Sequence, residues 1–260
     1  VRQYAVLGTP VAGLSIRHKH IVVIMSRFFV EELDYQKTAL GDLVLRRRRS
    51  PSVPDALVYE VKLDDEMLMS SSVNASEREL ARLVLEGRQD RELDVLVGGL
   101  GLGYTAAAAL EYANVRRLVV VELLGPVIGW HRRRLVPAAE ALMEDGRCSV
   151  VEGDFFEYVA RPHGEDRYDV ILLDIDHSPD CWLGPSHRDF YTPEGLRGLT
   201  GCLGAGGVFG VWSAWKAPKE FVEMLGCLFA SVREHEISFY NPHISDTDTN
   251  WVITAELGGS

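Results

Sequence analysis

Two hydrophobic rhythms divide the chain. Between residues 21 and 70 the apolar positions come in short runs, at 21–29, 34–38, 43–46, 57–63 and 67–69, separated by polar pieces. Runs of this length, broken at Leu40-Gly41-Asp42 and Asp64-Asp65, predict strands joined by hairpin turns. Ser76 stands three residues before Glu79 and just ahead of Leu80, Leu83 and Val84. That is capping-box spacing, and it predicts a helix running to about residue 86. The helix marks the boundary between a β-strand and hairpin domain over 1–75 and a second domain over 76–260.

Past that helix the rhythm changes. Strand-like runs at 94–97, 118–121, 149–151, 168–173 and 208–212 alternate with helical patterns at 104–112, 126–134, 193–203 and 219–229. Val170-Ile171-Leu172-Leu173 is apolar at consecutive positions, so both of its faces must be covered, as in a parallel sheet sandwiched by helices. The expected fold is α/β, a Rossmann-like doubly wound sheet with a small N-terminal β domain. Two late stretches, 232–240 and 251–255, are expected to pair as an antiparallel edge hairpin around the polar loop 241–250.

Composition narrows the partners. At 260 residues and 47% hydrophobic the chain can bury a full core, and its formal charge of -11 opposes a phosphate backbone while attracting cationic small molecules. No nucleic-acid or membrane partner is expected, since the apolar run at 20–25 is too short to cross a bilayer and no export signal precedes it. The four cysteines form no Cys-x-x-Cys pair, which fits a reducing, cytoplasmic setting without a zinc or disulfide framework. Residues 1–19 read as a trimmed or poorly ordered arm, and His18-Lys19-His20 as part of it. The runs Arg46-Arg47-Arg48-Arg49 and His131-Arg132-Arg133-Arg134 read as solvated ends of a strand and a helix.

The candidate chemistry begins at Leu96-Val97-Gly98-Gly99-Leu100-Gly101-Leu102-Gly103-Tyr104-Thr105, a glycine-rich turn directly after the first strand of the second domain. In a doubly wound sheet the ligand lies beyond the carboxyl ends of the strands, so this turn faces it. Glu122 ends the next strand about twenty residues on, where an acid grips a ribose. Asp154 and Asp174 close two further strands. The loop alone fits a dinucleotide as well as an S-adenosyl compound. The absence of a second nucleotide-binding half and of a hydride-site histidine favours the adenosyl sulfonium. His177 beside Asp174 and Asp176 suggests a metal, but the next strand ends in Trp212-Ser213-Ala214 rather than in oxygen ligands, so no metal is expected. His187, Arg188 and Tyr191 read as an exposed loop by default, with an acceptor pocket wall as the alternative, and Trp212, Trp215 and Trp251 as core packing by default, with a pocket wall as the alternative.

These segments resemble the spermidine synthase family. The likeness runs through DYQKTALGDLVL (34–45), LDDEMLMSS (63–71), the stretch 94–207 and FYTPEGLRGLTGCLGAGGVFGVW (190–212). It implies aminopropyl transfer from decarboxylated S-adenosylmethionine to a small-molecule amine acceptor. By the same resemblance Gln36 contacts the donor and Gly98, Gly99, Gly101 and Gly103 form its loop. Glu122 holds the ribose hydroxyls, Asp154 reads the adenine amine, and Asp174 and Asp176 are the catalytic acids. The chain departs from the family in three places. Gly101 occupies the position of an aspartate in the family's Gly-Gly-Gly-Asp-Gly-Gly loop. Asp174-Ile175-Asp176-His177-Ser178-Pro179 replaces Asp-Ser-x-Asp-Pro. The family's tyrosine at the head of the linking helix is absent from Asn74-Ala75-Ser76-Glu77-Arg78-Glu79. Losing the loop acid lifts a repulsion against the carboxylate of S-adenosylmethionine itself, so methyl transfer on the same fold stands as the second reading and nucleoside binding without catalysis as the third. An edge-forming β domain is compatible with a homodimer.

Overall fold

The structure is a computed structural model that describes residues 22–25, 28–50, 53, 55–161, 167–242 and 244–259. The expected N-terminal arm, with His18-Lys19-His20, lies outside the described residues. Five strands, Val22–Met25 (β1), Phe28–Thr38 (β2), Gly41–Arg49 (β3), Leu57–Leu63 (β4) and Glu66–Ser70 (β5), form an antiparallel sheet in chain order. Along β3 the buried residues Leu43 and Leu45 alternate with partly exposed ones, as a sheet with one covered face requires. The arginine run is solvated only at its last residue, Arg49. It lies inside β3, where Arg46 and Arg48 both donate to Glu60, at 2.8 and 2.6 Å, and Arg47 donates to Glu31 at 2.7 Å. The acids on β2 and β4 opposite these arginines absorb the charge.

The helix Ala75–Leu85 (α1) then leads into the second sheet. Asn74 precedes its first turn and no side chain caps it, so Ser76 is not the cap. It is buried inside the helix, where its Oγ accepts from Trp212 Nε1 at 2.9 Å and lies 2.9 Å from both Glu77 Oε2 and Asn250 Oδ1. Burial of the Ser76 hydroxyl is made affordable by these cross-chain partners.

The second sheet has seven strands: Leu93–Gly98 (β6), Val115–Glu122 (β7), Cys148–Glu152 (β8), Tyr168–Leu173 (β9), Leu203–Ser213 (β10), Ser231–Asn241 (β11) and Asp246–Glu256 (β12). Their order is β11-β12-β10-β9-β6-β7-β8, parallel throughout except for β12 and β11. Consecutive residues serve opposite cores. Val95, Val97, Val170 and Leu172 pack with α1, Tyr104–Leu110 (α2), Gly125–Arg132 (α3) and Ala139–Glu144 (α4), together with Leu43 and Leu45 of the first sheet. Leu96, Ile171 and Leu173 pack with Phe155–Ala160 (α5), Pro193–Cys202 (α6) and Lys219–Leu228 (α7). The doubly wound α/β fold with a small N-terminal β sheet is thus present. The terminal hairpin is longer than expected: β11 and β12 pair from Ser231↔Glu256 to Asn241↔Asp246, taking up most of the supposed loop. The helix α4 was not expected from the hydrophobic pattern.

Candidate active site

Chain order reverses across the sheet between β6 and β9, which places the ligand crevice over their carboxyl ends. The register pairs Gly98 with Leu173, and the Asp174 amide donates to the Gly98 carbonyl at 2.9 Å, so the glycine turn and Asp174 leave the sheet side by side. Gly99 adopts φ +91°, and a Cβ there would sit 2.2 Å from the Asp174 carbonyl oxygen. Only glycine permits this approach. Gly101, at φ +48°, lies beneath Met69 of β5, whose sulfur would be 3.1 Å from an added Cβ. The N-terminal sheet thus closes over the place where the resemblance has an acid.

Glu122, at the end of β7, is buried and organises the turn: Oε2 accepts from the Leu100 amide at 2.9 Å and Oε1 from the Leu124 amide at 2.8 Å. Burial raises its pKa, against the pull of these amides. The backbone amides of Gly101 and Leu123 also hydrogen-bond to this carboxylate. Asp154 caps α5, with Oδ1 accepting from Phe156 at 2.7 Å and Glu157 at 3.3 Å, while Oδ2 makes no hydrogen bond among the described residues. Gly99, Gly101, Glu122, Asp154 and Asp174 line one cavity of about 90 Å³, closed by Leu40 and Met69 from the first sheet and by His187.

Through Asp174, Gly101 and Met69 this cavity adjoins a second of about 210 Å³, to which Gly103 also contributes. Gly98 lines neither. A Cβ on it would strike the Phe155 ring at 2.7 Å, so its role is packing beneath the turn. Asp174 Oδ2 accepts from Thr105 Oγ1 at 2.6 Å. Burial raises the Asp174 pKa, and the Thr105 hydroxyl opposes the shift.

Two residues expected at the site lie elsewhere. Gln36 is exposed on β2, 3.3 Å from Asp34 Oδ1, and lines neither cavity. Its neighbour Asp34 is the one turned inward, accepting from Trp130 Nε1 at 2.7 Å and Arg133 at 2.6 Å and tying the first sheet to α3. Asp176 is buried away from both cavities. It accepts from the Leu183 amide at 2.8 Å, His187 Nδ1 at 2.7 Å and Tyr191 Oη at 2.9 Å. The chain bends after Leu173, so Asp176 does not share the face of Asp174; it holds the 175–191 segment together. His187 and Tyr191 are accordingly buried, not exposed.

Two further groups at the site were not expected from the sequence. Glu77, in the first turn of α1, lines the second cavity with Asp174. Burial, and then the like charge of Asp174, push it up to about 7. His131 is fully buried in α3 rather than solvated; Nε2 donates to the Gly101 carbonyl at 2.9 Å, and burial lowers its pKa. Among the described residues no group of three or more His, Cys, Asp and Glu could hold a metal ion, and no helix is long and apolar enough to cross a membrane.

The family model described as the spermine/spermidine synthase domain matches residues 65–222, which includes the glycine turn, Glu122, Asp154 and Asp174. The chain belongs to this family. It is 31% identical over 102 residues to a polyamine aminopropyltransferase of Pyrobaculum islandicum, covering 39% of this chain and 34% of that protein. To one of Sulfolobus acidocaldarius it is 27% identical over 188 residues, covering 68% and 57%. The matched stretch thus spans about a third of the length of the Pyrobaculum relative. The crystal structure of spermidine synthase from Thermotoga maritima superposes with a TM-score of 0.67 at 18% identity, covering 89% of this chain and 76% of that one. A spermidine synthase in complex with the transition-state analogue AdoDATO gives 0.69 over the same shares. The fold of this family member is therefore that of the spermidine synthases.

Proposed function

We propose that this family member is a transferase that moves an aminopropyl group from decarboxylated S-adenosylmethionine to a small-molecule amine. The observation that carries this reading is the placement of Asp174 at the junction of two adjoining cavities. One cavity offers adenosine chemistry: Glu122 for the ribose diol and the unbonded oxygen of Asp154 for the adenine amine. The other offers a carboxyl to an incoming ammonium.

The donor supplies a carbon activated by its sulfonium, and the protein aligns the amine with it. The amine lone pair forms the new C–N bond as the C–S bond breaks, its electrons pass to sulfur, and neutral methylthioadenosine leaves. Asp174 accepts the proton shed by the amine, directly or through water. Holding the two reactants in line can supply roughly 7–11 kcal/mol of barrier lowering. The uncharged turn at Gly101 favours a second reading, methyl transfer from S-adenosylmethionine, because no loop acid there repels the donor carboxylate.

Calorimetric titration with decarboxylated S-adenosylmethionine, S-adenosylmethionine and methylthioadenosine tests both. The decarboxylated donor and methylthioadenosine are expected to bind, with S-adenosylmethionine at least about tenfold weaker. Tighter binding of S-adenosylmethionine selects methyl transfer, and binding of none refutes both. Asp174→Asn is expected to leave donor affinity intact and lower turnover by about 100-fold or more; undiminished turnover places the base elsewhere.

A further inference from the structure

We propose that Glu77 determines the acceptor: with Asp174 it forms a two-carboxylate clamp for a single ammonium group, and the amine taken is a monoamine with an apolar tail rather than a diamine. The inference rests on the reading of Asp174 as facing the acceptor. Glu77 and Asp174 are the only carboxylates on the wall of the second cavity among the described residues. Among the described residues no lysine or arginine lines that wall. Arg78, adjacent to Glu77, pairs with Glu111 at 2.5 Å, and Asp174 has a hydroxyl, that of Thr105, as its partner. The same Thr105 Oγ1 lies 3.3 Å from the Glu77 carbonyl oxygen, so the first turn of α1 is held against the end of β9.

Two acids facing one cavity without a counter-cation repel each other and are poorly solvated, an arrangement that a bound cation relieves. Burial holds both protonation equilibria above their ordinary values in the ligand-free protein, and for Glu77 the charge of Asp174 adds to it, bringing it to about 7. An ammonium between them supplies the missing positive charge. With Gly101 lacking a side chain, Glu77 provides from α1 the acid that the turn does not.

The rest of the second cavity's wall carries no further carboxylate; its polar side chains are Ser70, Tyr104, His177 and Asn250. Leu68, Leu102, Leu183 and Trp212 supply apolar wall. Asn250, the amide on that wall, is already engaged, with Oδ1 2.9 Å from Ser76 Oγ and Nδ2 donating to the Ala214 carbonyl at 3.1 Å. A diamine would bury its distal charge without a carboxylate to pair it, whereas an alkyl tail is at home against the leucines and Trp212.

The test is calorimetric titration of n-pentylamine and of 1,5-diaminopentane into the full chain saturated with methylthioadenosine, for the unaltered protein, Glu77→Gln and Glu77→Asp. The monoamine is expected to bind at least about tenfold tighter than the diamine. Glu77→Gln is expected to lose about tenfold or more in monoamine affinity, Glu77→Asp less, and both to bind methylthioadenosine within about twofold of the parent, which also shows that they fold. Equal or tighter binding of the diamine, or unchanged monoamine affinity in the variants, overturns the proposal. So does methylthioadenosine binding with no amine binding, which leaves the donor-site reading intact. Failure of methylthioadenosine to bind the unaltered protein removes the donor-site reading and this inference with it.

Discussion

Glu77→Gln should stabilise the ligand-free protein at alkaline pH and do little at acid pH. The Glu77 carboxyl has an ordinary pKa of 4.5 and sits at about 7 in the fold, raised first by burial and second by Asp174. Below about 4.5 it is protonated in folded and unfolded chains alike and contributes no difference. As pH rises from 4.5 to about 7 the unfolded chain ionises first and binds fewer protons, so stability falls, and the loss is complete above the folded value. At about 1.4 kcal/mol per pH unit, that interval amounts to about 3 kcal/mol as an upper bound, since Glu77 is not wholly shielded from water. Glutamine keeps the shape and an oxygen for the Ser76 hydroxyl while removing the charge. For a chain of this size about 3 kcal/mol corresponds to roughly 6–12 °C in Tm. Urea and thermal unfolding of both proteins at about pH 5 and pH 8 without ligand provides the assay, and the difference between their pH dependences cancels the carboxylates they share. The same difference in stability at both pH values, or a less stable variant at pH 8, would refute the account of Glu77 as a buried acid lacking its cation.

Gly99→Ala should cost at least about 2 kcal/mol in urea unfolding and weaken methylthioadenosine binding. Its Cβ would stand 2.2 Å from a backbone oxygen that no side-chain rotation can move, at a left-handed φ; wild-type stability would show that the turn is not as tight as described. Asp176→Asn should cost about 2–3 kcal/mol by leaving one of its three donors facing an amide N–H. Asp174→Asn should not destabilise, because it removes a buried charge. A catalytic role for Asp176 independent of the 175–191 segment would appear instead as lost turnover at undiminished stability and donor affinity.

How much of this could be read in advance follows from where the physical constraint resides. The doubly wound sheet was legible because its strands are apolar at consecutive positions, and only two covered faces account for Val95, Leu96 and Val97 in one strand. Glu122, Asp154 and Asp174 were legible as acids at strand ends, where the topology puts ligands. Asp176 was not, because two residues apart means one face only while a strand continues, and the chain bends at Ile175. Gln36 and Asp34 pose the same difficulty in reverse: both lie on β2, and which partner α3 offers is a matter of tertiary contact with Trp130 and Arg133. For Glu77 and His131 a usable signal existed and was masked. Glu77 stands three, four and seven residues before Leu80, Ala81 and Val84, the buried stripe of α1, while the capping-box spacing of Ser76 and Glu79 drew attention to its neighbours. His131 stands three and four residues after Ile128 and Val127, the buried stripe of α3, although the arginines following it suggested a solvated end. A titratable residue on an apolar helical stripe beside a strand-end acid must be buried near that acid or break the helix. Since α1 is intact, the carboxyl of Glu77 had to enter the crevice, and the energetic cost of holding it there is what makes a cationic ligand the natural complement of the site.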